Sequence, residues 1–226
     1  MKTTLFFCFV SFLGMSQLSE IRNQTKYNFW LNLPETEILN NQPPVLIFLH
    51  GRSLSGTDMN KVKRYGVISE IEKGRKIPAI VIAPQVVSGA WDPEKIIEIL
   101  DFVQKKYNTK TDRVYVCGMS LGGYGTLSFT GKYPERIAAS VALCGGGNIS
   151  DACNLAKVPL WIQHGTGDRA VPVSESRNIV QAIKNCNSEK NLKYVEVKGA
   201  SHGAMESVFR SNELYDWLFS HSLSAK

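Results

Sequence analysis

Five residues in the middle of the chain, Gly118-Met119-Ser120-Leu121-Gly122, have the spacing that turns a serine into a nucleophile. The apolar run Val114-Tyr115-Val116-Cys117 precedes them and a helix-like stretch follows, so Ser120 falls on a tight strand-to-helix turn. Glycine is needed at Gly118 and Gly122 because a strained turn leaves little room for side chains beside the serine. The turn also places the main-chain amide of Leu121 at a helix start, aimed at negative charge developing on a carbonyl under attack. A serine hydroxyl is a poor nucleophile at neutral pH. Acyl transfer through it needs an imidazole to take its proton and a carboxylate to orient the imidazole.

Four histidines are candidates for the base. His221 is in the tail. His50 and His164 each end an apolar run and precede a glycine, which reads as a strand-terminal residue holding a loop by hydrogen bonding. His202 lies in Gly199-Ala200-Ser201-His202-Gly203, between the last expected strand and the last expected helix, where an imidazole can turn toward Ser120. The best carboxylate is Asp168, in His164-Gly165-Thr166-Gly167-Asp168-Arg169-Ala170-Val171-Pro172. Beside glycine it could be a simple turn residue. The order Ser120, Asp168, His202, each just past a successive strand, favours the catalytic role. Asp92, a helix cap, and Asp151, in a polar loop, are weaker contenders. A second oxyanion donor is expected just past His50-Gly51, which points to the amide of Arg52.

These residues must be carried by alternating elements. Apolar runs at 27–33, 45–49, 79–83, 113–117, 138–143, 160–162 and 192–197 read as strands, most without period-two alternation, as expected when both faces are covered. Helical spacing appears at 61–73, 93–107, 121–133, 174–185 and 207–220, with Pro93 suited to a first turn after Asp92. Strand alternating with helix implies an α/β fold with a parallel sheet and helices on both faces. Its ligand crevice lies outside the carboxyl ends of the strands. The irregular stretches 51–60 and 85–91 both follow strands, and Trp91 in the second is either a contact for a sugar or aromatic ring or a packed loop anchor.

Residues 1–16 carry Lys2, an apolar block and the small-residue stretch Gly14-Met15-Ser16, the pattern of a secretory signal peptide. The expectation is an exported protein, periplasmic or secreted, with residues 17–226 as one domain. No other stretch is apolar for long enough to cross a bilayer, so stable membrane insertion is not expected. A net charge of +6, with 26 basic residues scattered among 20 acidic ones, argues against nucleic acid and leaves only loose attraction to anionic polysaccharides or membrane surfaces. With Cys8 removed in the leader, Cys117, Cys144, Cys153 and Cys186 remain, in no zinc-binding pattern. Three pairings are open to them, a bridge involving Cys153 among the possibilities, and Cys117 reads as a small buried residue.

Together, His50-Gly51, the Ser120 elbow, His164-Gly165-x-x-Asp168 with Val171-Pro172, and Gly199-x-x-His202 resemble the alpha/beta-hydrolase superfamily. The likeness is to its small esterases: the phospholipase/carboxylesterase and dienelactone hydrolase group, and exported esterases and predicted peptidases related to polyhydroxybutyrate depolymerases and feruloyl esterases. Asp112-Arg113-Val114-Tyr115 and Tyr215-Asp216-Trp217-Leu218 are similar to that last group. The resemblance spans about residues 43–219. It implies a triad of Ser120, Asp168 and His202, an oxyanion hole of the Arg52 and Leu121 amides, and no metal or organic cofactor. The implied substrate is a small-molecule or polysaccharide-linked ester. Gly203-Ala204-Met205 departs from the exported group, which often carries an acidic residue and a tryptophan there, so that group's acyl pocket is not implied. No cap domain is evident between the elbow and Asp168, which implies an open site. A prolyl oligopeptidase-type peptidase would share the triad order but needs a propeller domain for which the chain has no room. A non-catalytic ligand-binding protein could share the fold alone. Oligomeric state is not written in the sequence.

Overall fold

In the computed structural model, which describes residues 17–186 and 189–223, the apolar runs become seven of the strands of one eight-stranded sheet, six of them inner and the last, over 192–197, at an edge. The strands are β1 (Gln17–Ile21), β2 (Phe29–Leu33), β3 (Val45–Leu49), β4 (Ile80–Pro84), β5 (Val114–Met119), β6 (Ala139–Leu143), β7 (Leu160–Gly165) and β8 (Leu192–Val197). Their order is β1-β2-β4-β3-β5-β6-β7-β8, antiparallel at β1-β2 and β2-β4 and parallel from β4 to β8. The helices are α1 (Thr36–Leu39), α2 (Gly66–Glu72), α3 (Pro93–Tyr107), α4 (Leu121–Lys132), α5 (Ala152–Leu155), α6 (Ser174–Lys184) and α7 (Asn212–Phe219).

The continuous apolar strands have the expected cause. Along β3, Leu46 and Phe48 join one core with α2 and α7, while Val45, Ile47 and Leu49 join another with α3. Tyr115 and Cys117 of β5 face the first core, and Val114 and Val116 the second. Each side chain has a covered face waiting for it, so sequence alternation disappears.

The elements differ from the expected ones in instructive places. β1 was not anticipated, β2 begins at Phe29 rather than Tyr27, and β7 runs on through His164 to Gly165. The helix expected over 61–73 is broken into a 3₁₀ segment, Met59–Lys63, and α2. Tyr65 is extended there and Gly66 has φ +77°, a left-handed value at which a side chain would also meet the Phe48 ring at 2.1 Å. The helix expected over 207–220 is likewise two pieces, a 3₁₀ segment Gly203–Arg210 and α7, because the Ser211 side chain accepts from the Glu213 amide and starts a new helix.

Cys153 pairs with Cys186, joining α5 to the turn after α6, while Cys117 and Cys144 are free and buried. The expected leader, residues 1–16, lies outside the described residues. No helix among the described residues is long and apolar enough to cross a membrane.

His50 and His164 hold loops, as their positions suggested. His50 is fully buried; its Nε2 accepts from the Val86 amide at 3.2 Å and its Nδ1 lies 2.8 Å from the Gly51 carbonyl. An Nε2 that accepts from an amide must be unprotonated. Burial, opposed by the Gly51 bond, holds the His50 pKa down at about 4 against an ordinary 6.5. The unfolded chain therefore takes up this proton first on acidification. The stabilisation is complete above about pH 6.5, falls by about 2 kcal/mol by pH 5, and levels below pH 4. His50→Gln, which keeps an acceptor for Val86, should show a smaller drop in urea midpoint between pH 7 and pH 5 than the wild type; equal drops would refute the assignment. Gly66→Ala should destabilise by about 2 kcal/mol or more through the Phe48 clash and the left-handed backbone, read as a lowered urea midpoint at unchanged m-value.

Candidate active site

The elbow forms where β5 hands over to α4. Ser120 has φ 60° and ψ −123°, a strained conformation outside the helix it precedes. The first turn of α4 crosses the end of β3 so closely that a side chain on Gly122 would lie 1.8 Å from the Leu49 carbonyl oxygen. The Ser120 amide donates to the Leu143 carbonyl at 2.8 Å, tying the turn to the end of β6. Leu121 opens α4, and Arg52 opens the 3₁₀ turn Arg52–Leu54 after β3, so neither amide has an acceptor within its own helix.

Asp168 follows β7 and His202 follows β8. The two loops are pinned together: the Thr166 amide donates to Val197 at 3.0 Å, the Gly167 amide to Ala200 at 3.0 Å, and the Gly199 amide to Thr166 Oγ1 at 2.8 Å. His202 Nδ1 lies 2.6 Å from Asp168 Oδ2, whose carboxylate is 0% exposed. Oδ1 accepts from the amides of Ala170 and Val171 at 2.8 and 2.9 Å. Burial alone would raise this pKa, but the Val171 amide, His202 and the Ala170 amide outweigh it and hold the carboxyl below its ordinary 3.8. Against an ionised carboxylate, Nδ1 of His202 carries the hydrogen. Nε2 is left with the lone pair a general base needs.

A cavity of about 600 Å³ opens at this rim, lined by Ser120, Leu121, Arg52 and His202 together with Tyr65 and Glu206. Arg52, Ser120, Leu121 and His202 thus line one crevice, with Asp168 bonded to His202 but not itself in the lining, and only α4, α5, short 3₁₀ turns and two strands separate Ser120 from Asp168, with no inserted domain. Among the described residues no hydrogen bond joins the Ser120 hydroxyl to His202; both line the cavity.

Trp91 corrects an expectation. It is 5% exposed, donates through Nε1 to the His50 carbonyl at 3.1 Å, and packs edge-on against His50 and Tyr27. It does not line the cavity, so the loop-anchor alternative describes it and the ring-contact one does not.

Two neighbours of Asp168 escaped the sequence reading. His164 Nε2 lies 3.3 Å from Oδ2 and 3.0 Å from the Val171 carbonyl, with Nδ1 at 2.7 Å from Ser176 Oγ. The signal for this was the i,i+4 spacing of His164 and Asp168 at a strand end. Cys144, past the end of β6 at φ 48°, brings its Sγ within 4.8 Å of the Asp168 and His202 ligand atoms. That trio has metal-binding residue types, but the fit is poor. Two donors on one tetrahedral zinc stand roughly 3.3 Å apart, whereas His202 Nδ1 and Asp168 Oδ2 are 2.6 Å apart. The Cys144 thiol is also pushed up to about 12, chiefly by burial, and keeps its proton.

Comparison with known proteins bears on the family and the fold. Residues 92–214, more than half of the chain, match the phospholipase/carboxylesterase family model. A bifunctional acetylxylan esterase/xylanase from Neocallimastix patriciarum is 30% identical over 111 residues, 47% of this chain but 16% of that protein. The chain therefore spans a small part of that relative's length. Among solved structures, a thermostable esterase superposes with TM-score 0.78 at 24% identity, covering 92% of this chain and 63% of the other. The feruloyl esterase module from Clostridium thermocellum, complexed with sinapinate, gives 0.68 at 16% identity over 94% and 90% of the two chains. At these identities the structural likeness is one of fold. The sequence match, the sheet order and the crevice at its carboxyl rim lead to one assignment: the chain belongs to the phospholipase/carboxylesterase family.

Proposed function

We propose that this protein hydrolyses carboxylic esters of small to medium acyl groups through an acyl-enzyme on Ser120. The observation that carries the proposal is the 2.6 Å pairing of His202 Nδ1 with the buried, ionised Asp168, on the cavity that Ser120 also lines. Ser120 Oγ attacks the ester carbonyl and passes its proton to His202 Nε2. Asp168 holds the imidazole in the tautomer that can accept it and stabilises the imidazolium. The amides of Leu121 and Arg52 donate to the oxyanion. The alcohol leaves with the proton from His202, and a water activated by the same imidazole releases the acid. The chemistry calls for no cofactor.

The acetylxylan esterase relative supports an ester carried on a polysaccharide, and a cavity with no domain inserted above it suits a bulky alcohol portion. Export is part of the proposal: the leader-like pattern over residues 1–16 and the Cys153–Cys186 disulfide both suit an oxidising compartment.

Short p-nitrophenyl esters and acetylated xylan should be turned over, with a burst of p-nitrophenol equal to the enzyme, and prolyl peptide substrates should not be cleaved. Peptide cleavage without ester turnover would replace this proposal with a peptidase. Ser120→Ala and His202→Ala should each lower kcat/KM by about 10³-fold or more at unchanged thermal midpoint, and Asp168→Asn by less. A fluorophosphonate probe should label the native protein and not Ser120→Ala; wild-type-like turnover by that variant would exclude Ser120 as the nucleophile.

A further inference from the structure

Tyr65 lines the same cavity as Ser120 and Arg52 and has no role in the mechanism just given. The break between the 3₁₀ segment Met59–Lys63 and α2 leaves it extended, so its side chain lines the cavity. Its hydroxyl oxygen accepts from the Gly51 amide at 3.1 Å and lies 3.3 Å from Ser53 Oγ. A methyl group built on Gly51 would sit 2.6 Å from this oxygen and 3.5 Å from Ser120 Cβ, so phenol and serine flank the same small stretch of main chain.

The donor inventory of that hydroxyl is informative. One lone pair is taken by the Gly51 amide, so the hydrogen points elsewhere. Its one potential acceptor among the described residues is Ser53 Oγ, at a distance beyond the usual O–H···O range and in a contact where either hydroxyl could donate. Ser53 is exposed and can bond to water instead. Burial, mainly, and the charge of Glu206 keep the phenol's pKa above its ordinary 10.0 despite the bonds to Ser53 and Gly51, so the group holds its proton at neutral pH. The result is a weakly engaged O–H donor, fixed by its oxygen to the loop that presents the Arg52 amide.

We infer that Tyr65 is a catalytic residue, donating a third hydrogen bond to the oxyanion formed when Ser120 attacks the ester carbonyl. The inference rests on Ser120 being the nucleophile. In the attack, the bond from Ser120 Oγ to the carbonyl carbon forms, the carbonyl π pair moves onto oxygen, and the serine proton passes to His202. Tyr65 keeps its proton throughout and only redirects its hydrogen bond from Ser53 to the anionic oxygen. When the pair returns and the alcohol departs, the bond relaxes to Ser53. A donor that strengthens as charge develops acts on kcat rather than on ground-state binding.

Tyr65→Phe should lower kcat on the order of 10²-fold for a short p-nitrophenyl ester, with KM changed by less than about threefold. Affinity for a boronic acid that forms a tetrahedral adduct should fall by the same factor. Phenylalanine also strips the acceptor from the Gly51 amide, so a second enzyme carries 3-fluorotyrosine at position 65, which keeps the oxygen and makes the phenol a better donor; it should retain or exceed wild-type kcat. Wild-type kcat in Tyr65→Phe, a drop in kcat without loss of boronate affinity, or a fluorotyrosine enzyme as slow as Tyr65→Phe would each overturn the inference. Ser120→Ala in the same assay separates the two ideas: turnover retained there removes the nucleophile assignment, whereas a dead Ser120→Ala beside a fully active Tyr65→Phe removes Tyr65 alone.

Discussion

The site depends on one buried charge. The Asp168 carboxylate is shut away from water, and an ion so placed is tolerated only when its oxygens are fully engaged. Two donors come from its own turn, the amides of Ala170 and Val171, and a third is the His202 ring from the next loop. His164, from the end of β7, closes in at 3.3 Å. Satisfying the carboxylate therefore fixes two loops and a strand end relative to one another. The orientation of the His202 imidazole is a by-product of offsetting that desolvation cost.

The coupling extends from this pair to the serine through the sheet. Beyond the last regular rungs, the ladder continues as single bonds: Ser120 amide to Leu143, Cys144 amide to Gln163, and Thr166 amide to Val197. Each reaches from the carboxyl end of one strand to its neighbour, from β5 across to β8. The Ala200 amide, bonded back to Val197, and the Gly167 amide, bonded to Ala200, complete the path to the His202 loop. A parallel sheet puts all these strand ends on one rim, and the irregular hydrogen bonds convert that shared rim into a defined spacing.

How much of this was legible follows from the range of each interaction. That Ser120, Asp168 and His202 lie at strand ends on one rim could be read because each sits a few residues past an apolar run, which is local information. Two other neighbours of Asp168 were not read, because Cys144 comes from a different strand and His164, despite its i,i+4 spacing, looked like any buried strand-terminal histidine. Tyr65 was hidden inside what scanned as one helix over 61–73; the Tyr65-Gly66 pair was the available sign of a break, outweighed by apolar spacing on both sides. Trp91 was left open between two roles. Position in a loop after a strand suggested the crevice, but the large ring found more contact under the loop, against His50 and Tyr27. Periodicity reports which residues are covered, and it does not report which neighbour covers them.

Rigidity is unevenly distributed around the cavity. Ser120 keeps a conformation that costs on the order of 1–3 kcal/mol, and the buried strands β3, β5 and β6 beneath it supply the packing that holds it. Such a constellation cannot adapt to different substrates without losing its geometry. The opposing rim is built otherwise. Arg52 and Ser53 lie on one 3₁₀ turn, and Gly203 and Glu206 on another, all at the cavity and less buried than the strands. Short 3₁₀ segments have poorer hydrogen-bond geometry than α-helix and tolerate change in side chain and path. The Arg52 and Glu206 side chains on these turns line the cavity without a part in the proposed proton relay, so they are the part of its wall that can change without disturbing that relay, whereas the Arg52 main chain cannot.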